Sequence, residues 1–185
     1  MPTEDLSSRA HEKIPGRELS GEALVGLITT IKRPVPIPGM EGEEASDPVA
    51  QELLRLSGQA FVEVARYLNG LEITELSLLA KAYSSNAVLL DSGSRVVRLS
   101  ANEPVRKVDA PYVLQPIAAE KIGSIYVQIS KKVQTEGITE ADVGNVQANL
   151  AAQGYEWDDA GTDNLGRDES GGLVILDGTV KRKKT

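Results

Sequence analysis

Asp158, Asp159, Asp163, Asn164, Asp168 and Glu169 fall within twelve residues and crowd oxygen ligands into one stretch. Such a set is what a hard cation such as calcium requires. A helix–loop–helix calcium site needs acids at alternate positions before its glycine and a glutamate six residues beyond it. Putting Gly161 at the glycine position leaves Arg167 where the glutamate should stand, and putting Gly166 there makes Gly161 the first ligand. Both registers fail, so the expectation is a solvated acidic loop without a cofactor.

The same loop holds the nearest approach to a phosphate-binding loop, Gly161-Thr162-Asp163-Asn164-Leu165-Gly166-Arg167-Asp168. It has arginine in place of the lysine, Asp168 in place of the hydroxyl that holds magnesium, and no helix pattern behind it. Nucleophilic triads and zinc sites lack material, because the chain has one histidine, His11, and no cysteine. The motifs G-x-S-x-G, S-x-x-K and G-x-G-x-x-G are absent. The 27 acidic residues make many carboxylate pairs, but their sequence positions do not say which share a cleft. The reading is of a protein that is not an enzyme, with no catalytic residue, no metal and no cofactor.

Two stretches suit contact better than chemistry. Arg33-Pro34-Val35-Pro36-Ile37-Pro38-Gly39 is barred from helix by its alternate prolines and must run extended, with apolar residues free to lie across a neighbour. Its candidate partner-binding residues are Arg33, Pro34, Pro36, Ile37 and Pro38. Lys181, Arg182, Lys183 and Lys184 form a basic tail. Removing their four charges from the net −7 leaves −11, so the tail is a positive handle on an acidic body, available to nucleic acid, phosphate or an acidic protein face.

These stretches need elements to carry them. Ala118, Ile122, Ile125, Ile129 and Val133, spaced by four, three, four and four after Gln115-Pro116, predict a helix that Gly137 ends. Thr139 and Asp142 form a capping box, flanked by Ile138 and Val143 at the staple positions, and predict a second helix that ends at Gly154. Tyr155–Trp157 and Leu173–Leu176 read as strands, the latter turned by Asp177-Gly178. Together they outline a winged helix-turn-helix, although Glu140, Asp142, Asn145, Gln147, Asn149 and Gln153 on the second helix are poor readers of a polyanion.

Earlier in the chain, residues from Ser20 to Ile31 fit a short helix, although the run Ile28-Thr29-Thr30-Ile31 fits a strand equally, and Asp47-Pro48 starts a helix that runs to about Leu68. Leu76, Leu79, Ala80 and Tyr83 predict a shorter helix folded back on it. Ala87–Leu90 and Arg95–Leu99 flank Asp91-Ser92-Gly93-Ser94 as a hairpin, and Tyr112–Leu114 reads as a third strand. The expected class is α+β, with a mostly helical core, two β-hairpins, a winged-helix-like C-terminal unit and an extended N-terminal arm. Its expected organisation is an arm with the proline strap over 1–46, one compact domain over 47–180 and the tail over 181–185.

An acidic start and apolar runs far below the roughly 20 residues of a membrane span suggest a cytoplasmic protein or part of a large soluble assembly, with no signal peptide. The expected function is a non-enzymatic assembly or adaptor subunit of a larger complex such as a virion, docking on protein partners or copies of itself through the arm and strap. The alternative is a regulator that contacts nucleic acid through the winged-helix-like unit and the tail.

Overall fold

The computed structural model describes residues 18–34, 38–39, 44–56, 58–83, 87–104, 108–176 and 179–185. Ser20 accepts the Ala23 N–H at 3.1 Å and starts α1, Gly21–Thr29, as expected. Leu24, Ile28 and Ile31 are buried, so the core begins well before residue 47 and takes in part of the stretch assigned to an extended arm. A Cβ on Gly21 would stand 2.9 Å from the Val62 nitrogen, which makes glycine the contact where α1 meets the third helix. Arg33 and Pro34 lie in β1, Lys32–Pro34, paired antiparallel with β2, Glu44–Ser46. Pro38 and Gly39 are exposed in a turn, while Val35, Pro36 and Ile37 lie outside the described residues.

The Asp47 side chain caps α2, Pro48–Leu54, by accepting from the N–H groups of Val49 at 2.8 Å and Ala50 at 3.4 Å. The single helix expected to Leu68 is two, because α2 closes at Arg55 and Leu56 with tight-turn bonds and α3, Gly58–Gly70, starts afresh. Leu53 of α2 and Phe61 of α3 are both buried in the same core.

Against these helices lies a five-stranded antiparallel sheet in the order β3-β4-β5-β7-β6, with β3 Ser77–Tyr83, β4 Val88–Asp91, β5 Arg95–Ser100, β6 Ala118–Ile122 and β7 Ile125–Lys131. The expected hairpin across Asp91–Ser94 is β4 and β5, with Gly93 at φ 93° in its turn. Two expected helices are strands. Leu76–Tyr83 contributes β3 on one edge. The helix predicted after Pro116 is the β6–β7 hairpin on the other, and its register explains the misreading. Ala118 pairs with Ile129 and Ile122 with Ile125, so the four residues that would share a helix face share a sheet face instead. The strict alternation of Ile125, Val127 and Ile129 was the deciding signal.

A second unit comes next in the chain. Helix α4, Glu140–Ala152, begins with the expected capping box between Thr139 and Asp142. It leads into β8 Tyr155–Trp157, β9 Leu165–Arg167, β10 Leu173–Ile175 and β11 Val180–Arg182. β8 pairs with β11 and β9 with β10, both antiparallel, so the strand at Leu173 pairs backward with β9 and not forward with β11. The turn residues Asp177 and Gly178 lie outside the described residues. Tyr112–Leu114 makes only an isolated parallel bridge, Val113 to Ile175.

The winged helix-turn-helix is therefore not formed, since its first helix is a hairpin. The class is α+β, with four helices among the described residues, but the core is not mostly helical. It divides into two clusters that share no residue, one between α1–α3 and the sheet and one between α4 and β8–β11. Among the described residues no helix is long and apolar enough to cross a membrane, and a chain without cysteine has no disulfides.

Asp47 is fully buried and holds the start of α2. Replacing it by alanine is expected to lower unfolding free energy by about 1–2 kcal/mol, the usual size of a lost N-cap. Urea unfolding followed by circular dichroism checks this, and an unchanged midpoint would discount the cap.

Candidate functional site

The acidic loop lies between β8 and β9 and is built on α4. Val143, Val146 and Leu150 form the buried stripe of that helix and pack with Tyr155, Trp157, Leu165, Ile175 and Val180. Gly154, at φ 83°, turns the chain from α4 into β8. β8 ends at Trp157, and the Asp158 N–H then donates to the Thr179 carbonyl at 2.8 Å. Asp159 stands at φ 57°, a left-handed conformation in which few residues other than glycine, asparagine and aspartate are found.

The loop is closed by one side chain. Asn164 Nδ2 donates to the Asp159 carbonyl at 2.7 Å, across a 3-10 turn over Thr162–Asn164. The Asn164 carbonyl in turn accepts the Leu176 N–H at 2.9 Å. Asp159 is exposed, and its carboxylate makes no ion pair among the described residues. With Nδ2 engaged, the amide of Asn164 keeps Oδ1 as an acceptor.

The other oxygen ligands of the loop have separate duties. Asp168 Oδ1 accepts from the N–H groups of Ser170 and Gly172, both at 2.9 Å, and from the Ser170 hydroxyl at 2.6 Å. These bonds close the β9–β10 turn and hold the Asp168 carboxyl below its ordinary 3.8, the Ser170 hydroxyl contributing most. Asp158 takes Lys181 Nζ at 2.8 Å. Among the described residues no group of three or more histidines, cysteines or carboxylates could hold a metal ion.

The basic tail is partly strand. Lys181 and Arg182 lie in β11, Arg182 stands 5.4 Å from the Tyr155 ring centre, and the Lys183 N–H donates to the Gly154 carbonyl. Lys183 and Lys184 are exposed. The strap residues Arg33 and Pro34 pair with β2 in the β1–β2 ribbon, whereas Lys181 and Arg182 pair with β8.

β9 is joined to the segment leaving β7. Gln134 and Arg167 exchange two backbone bonds of 2.9 and 2.8 Å, and a Cβ on Gly166 would stand 2.8 Å from Val133 Cγ2. Arg167 also reaches Asp142 Oδ1 at 2.9 Å, tying the cap of α4 to the hairpin.

On the sheet, Val97 and Leu99 face the helices, so alternation turns Arg98 to the opposite face, where it stands across from Leu89 and Gln128. On that face Lys121 Nζ lies 5.2 Å from the Tyr126 ring centre. An open groove of about 710 Å³ lies there, bounded by Glu103, Asp109, Gln115, Lys121, Tyr126 and Gln128. Another of about 480 Å³ lies between α3 and the edge strand β6. In it the Tyr67 phenol is raised above 10.0 by burial and then by the charge of Glu120.

No model of a known protein family matches the chain, and no curated protein matches it.

Sequence reasoning tested the acidic cluster for calcium and missed the spacing of Asp159 and Asn164. The visible signal was an aspartate and an asparagine five residues apart between two short strands. The left-handed backbone and the amide bond were not legible.

Asp142 is held below 3.8, chiefly by the Thr139 N–H, with the Thr139 hydroxyl and Arg167 adding to it against a cost of burial. A depressed folded-state value contributes stability that is present above the unfolded value and lost as pH falls through the folded one. Trp157, the only tryptophan, is buried in this cluster and reports it. Its urea midpoint is expected to fall between about pH 5 and pH 2, and Asp142→Asn to make that dependence shallower.

Proposed function

We propose that the chain is a nucleotide-binding unit of the phosphoryl-transfer kind, built on the same plan of parts as a protein kinase. The observation that carries this reading is the Asp159–Asn164 loop, with the Asn164 amide fixed on the Asp159 carbonyl. Phosphoryl transfer asks little covalent chemistry of a protein. It needs a carboxylate to orient and take the proton of an attacking hydroxyl, oxygen ligands for magnesium beside the phosphates, and a cation on the sheet.

The protein-kinase set supplies these as an aspartate with an asparagine five residues on, an aspartate before a glycine after the next hairpin, and a basic residue on the third strand of the preceding sheet. In this chain Asp159 and Asn164 have the first spacing, and Asn164 Oδ1 is the end that would face magnesium. Asp177 follows Leu176 in the sequence and lies outside the described residues. The neighbours on either side, Leu176 and Thr179, are bonded to Asn164 and Asp158. Arg98 is on the third strand of the five-stranded sheet and faces away from the helices.

The departures are specific. Trp157 and Asp158 precede Asp159 where the kinase set has histidine and arginine, and no phenylalanine separates Asp177 from Gly178. Arginine in place of lysine keeps its charge at any working pH and grips phosphate with two donors instead of one.

A second reading is the non-enzymatic assembly or adaptor subunit that works through protein contacts. It is favoured by two exposed apolar residues, Val108, 40% exposed in the lining of the groove on the outer face of the sheet, and Ile117, 53% exposed and next in the chain to Pro116 of that lining. In that reading the loop is structural and the sheet surface is the working part.

Calorimetric titration of the full chain with ATP, with and without magnesium, separates the two. The first reading expects binding that depends on magnesium and weakens by about tenfold or more in Asn164→Ala. Asp159→Asn is expected to keep binding and to lose transfer to any acceptor hydroxyl. If neither ATP nor GTP binds with magnesium present, the phosphoryl-transfer reading fails and the adaptor reading stands alone.

A further inference from the structure

Ile117 is 53% exposed, the most of any large apolar side chain among the described residues. Its N–H donates to the Ile129 carbonyl at 2.6 Å, so it extends the β6–β7 ladder by one residue. Ala118 packs against the first cluster, and alternation turns Ile117, Ala119 and Lys121 together to the outer face of the sheet. Gln128 and Tyr126 of β7 stand opposite Ala119 and Lys121 on that face.

These strands make one wall of the open groove of about 710 Å³, and the connection between β5 and β6 makes the other with Glu103, Pro104, Val108, Asp109 and Pro116. Val108 is 40% exposed, and its neighbour Asp109 is exposed as well. Single exposed apolar side chains are ordinary, whereas an exposed apolar patch rimmed by charge marks a contact surface. Here the rim carries opposite charges on opposite walls. Asp109 is on the connection, and on β6 the exposed Lys121 holds its ammonium 5.2 Å from the centre of the Tyr126 ring.

Such a patch is complementary to itself. A two-fold axis running along the groove lays each wall on the opposite wall of a second copy, so apolar centre meets apolar centre and the contact of Lys121 with the partner's Asp109 is made twice. A partner of one charge sign would suit one wall and be repelled by the other. We infer that the outer face of the sheet is a two-fold interface between copies of this chain, with Ile117 and Val108 at its centre and Lys121 against the partner's Asp109. The inference rests on the reading in which the sheet surface is the working part, and it names the partner of that surface.

Light scattering of the full chain over a range of concentrations tests it. A dimer is expected, and Ile117→Asp is expected to weaken its association by about tenfold or more. Lys121→Glu alone and Asp109→Lys alone should each weaken it as much, because each sets like charges together at both contacts. Mixing these two variants in equal amounts should restore the dimer, since both contacts then join opposite charges. Ile117, Lys121 and Asp109 are exposed, so circular dichroism and Trp157 fluorescence should be unchanged in every variant. A monomer at every concentration overturns the inference, whereas the adaptor reading itself is judged by the ATP titration. A dimer that all three variants leave intact overturns it as well, because the interface is then elsewhere. So does a mixture that stays monomeric, since Lys121 and Asp109 then do not meet across copies.

Discussion

Gly166 passes so close beneath Val133 and Gln134 that no side chain fits between them, and the union of the two halves of the molecule rests on that approach. The two hydrophobic clusters have no residue in common, so burial alone does not hold one against the other. They are joined through backbone. Gln134 and Arg167 exchange two bonds on one side, and on the other the segment between β5 and β6, whose Tyr112 and Val113 pack against the second cluster, exchanges two with Ile175 through Tyr112 and Leu114. The second join holds Tyr112 at φ 67°, an uncommon conformation for a bulky residue and one that costs about 1–3 kcal/mol. Both joins end on the β9–β10 hairpin, which makes that hairpin the common support.

The loop inherits its order from this support. Leu176, one residue past β10, bonds the Asn164 carbonyl, and Asn164 bonds the Asp159 carbonyl, so a displacement of β10 passes through two hydrogen bonds to Asp159. Arg167 connects the same hairpin to the cap of α4 through Asp142. Charge has two uses here. Asp142, Asp158 and Asp168 are occupied in fixing the frame, and Asp159 is left with its carboxylate in solvent.

Elements whose signals are local were legible in the sequence. The Thr139–Asp142 capping box, the helix start at Asp47-Pro48 and the Asp91–Ser94 hairpin are all specified by residues within a few positions of one another. Elements whose identity depends on a distant partner were not. Residues 76–83 have helical spacing but complete the edge of a sheet, and the hairpin at 118–131 imitates a helix because two cross-strand pairs fall at intervals of four and three. The candidate site suffered for a related reason. Oxygen-rich composition singled out the loop, but its shape depends on one aspartate in a left-handed conformation and one amide bond, neither of which composition records. The basic tail was visible, yet half of it is strand, since its pairing with β8 is a long-range event.

Asn69 and Gly70 adjoin, and an asparagine followed by glycine is a sequence pair prone to slow hydrolysis of the side-chain amide. At most positions the change adds a surface charge and little else. Here the amide is a two-way contact, with its nitrogen donating to the Leu19 carbonyl and its oxygen accepting the Leu19 N–H. An aspartate has two acceptors and no donor at neutral pH, so one of the two bonds would become a repulsion between a carboxylate and a carbonyl. The start of α1 is thus tied to the last turn of α3 by a side chain that must offer a donor and an acceptor at once, and the helical backbone of α3 keeps the Gly70 nitrogen from reaching the amide carbon that such hydrolysis attacks.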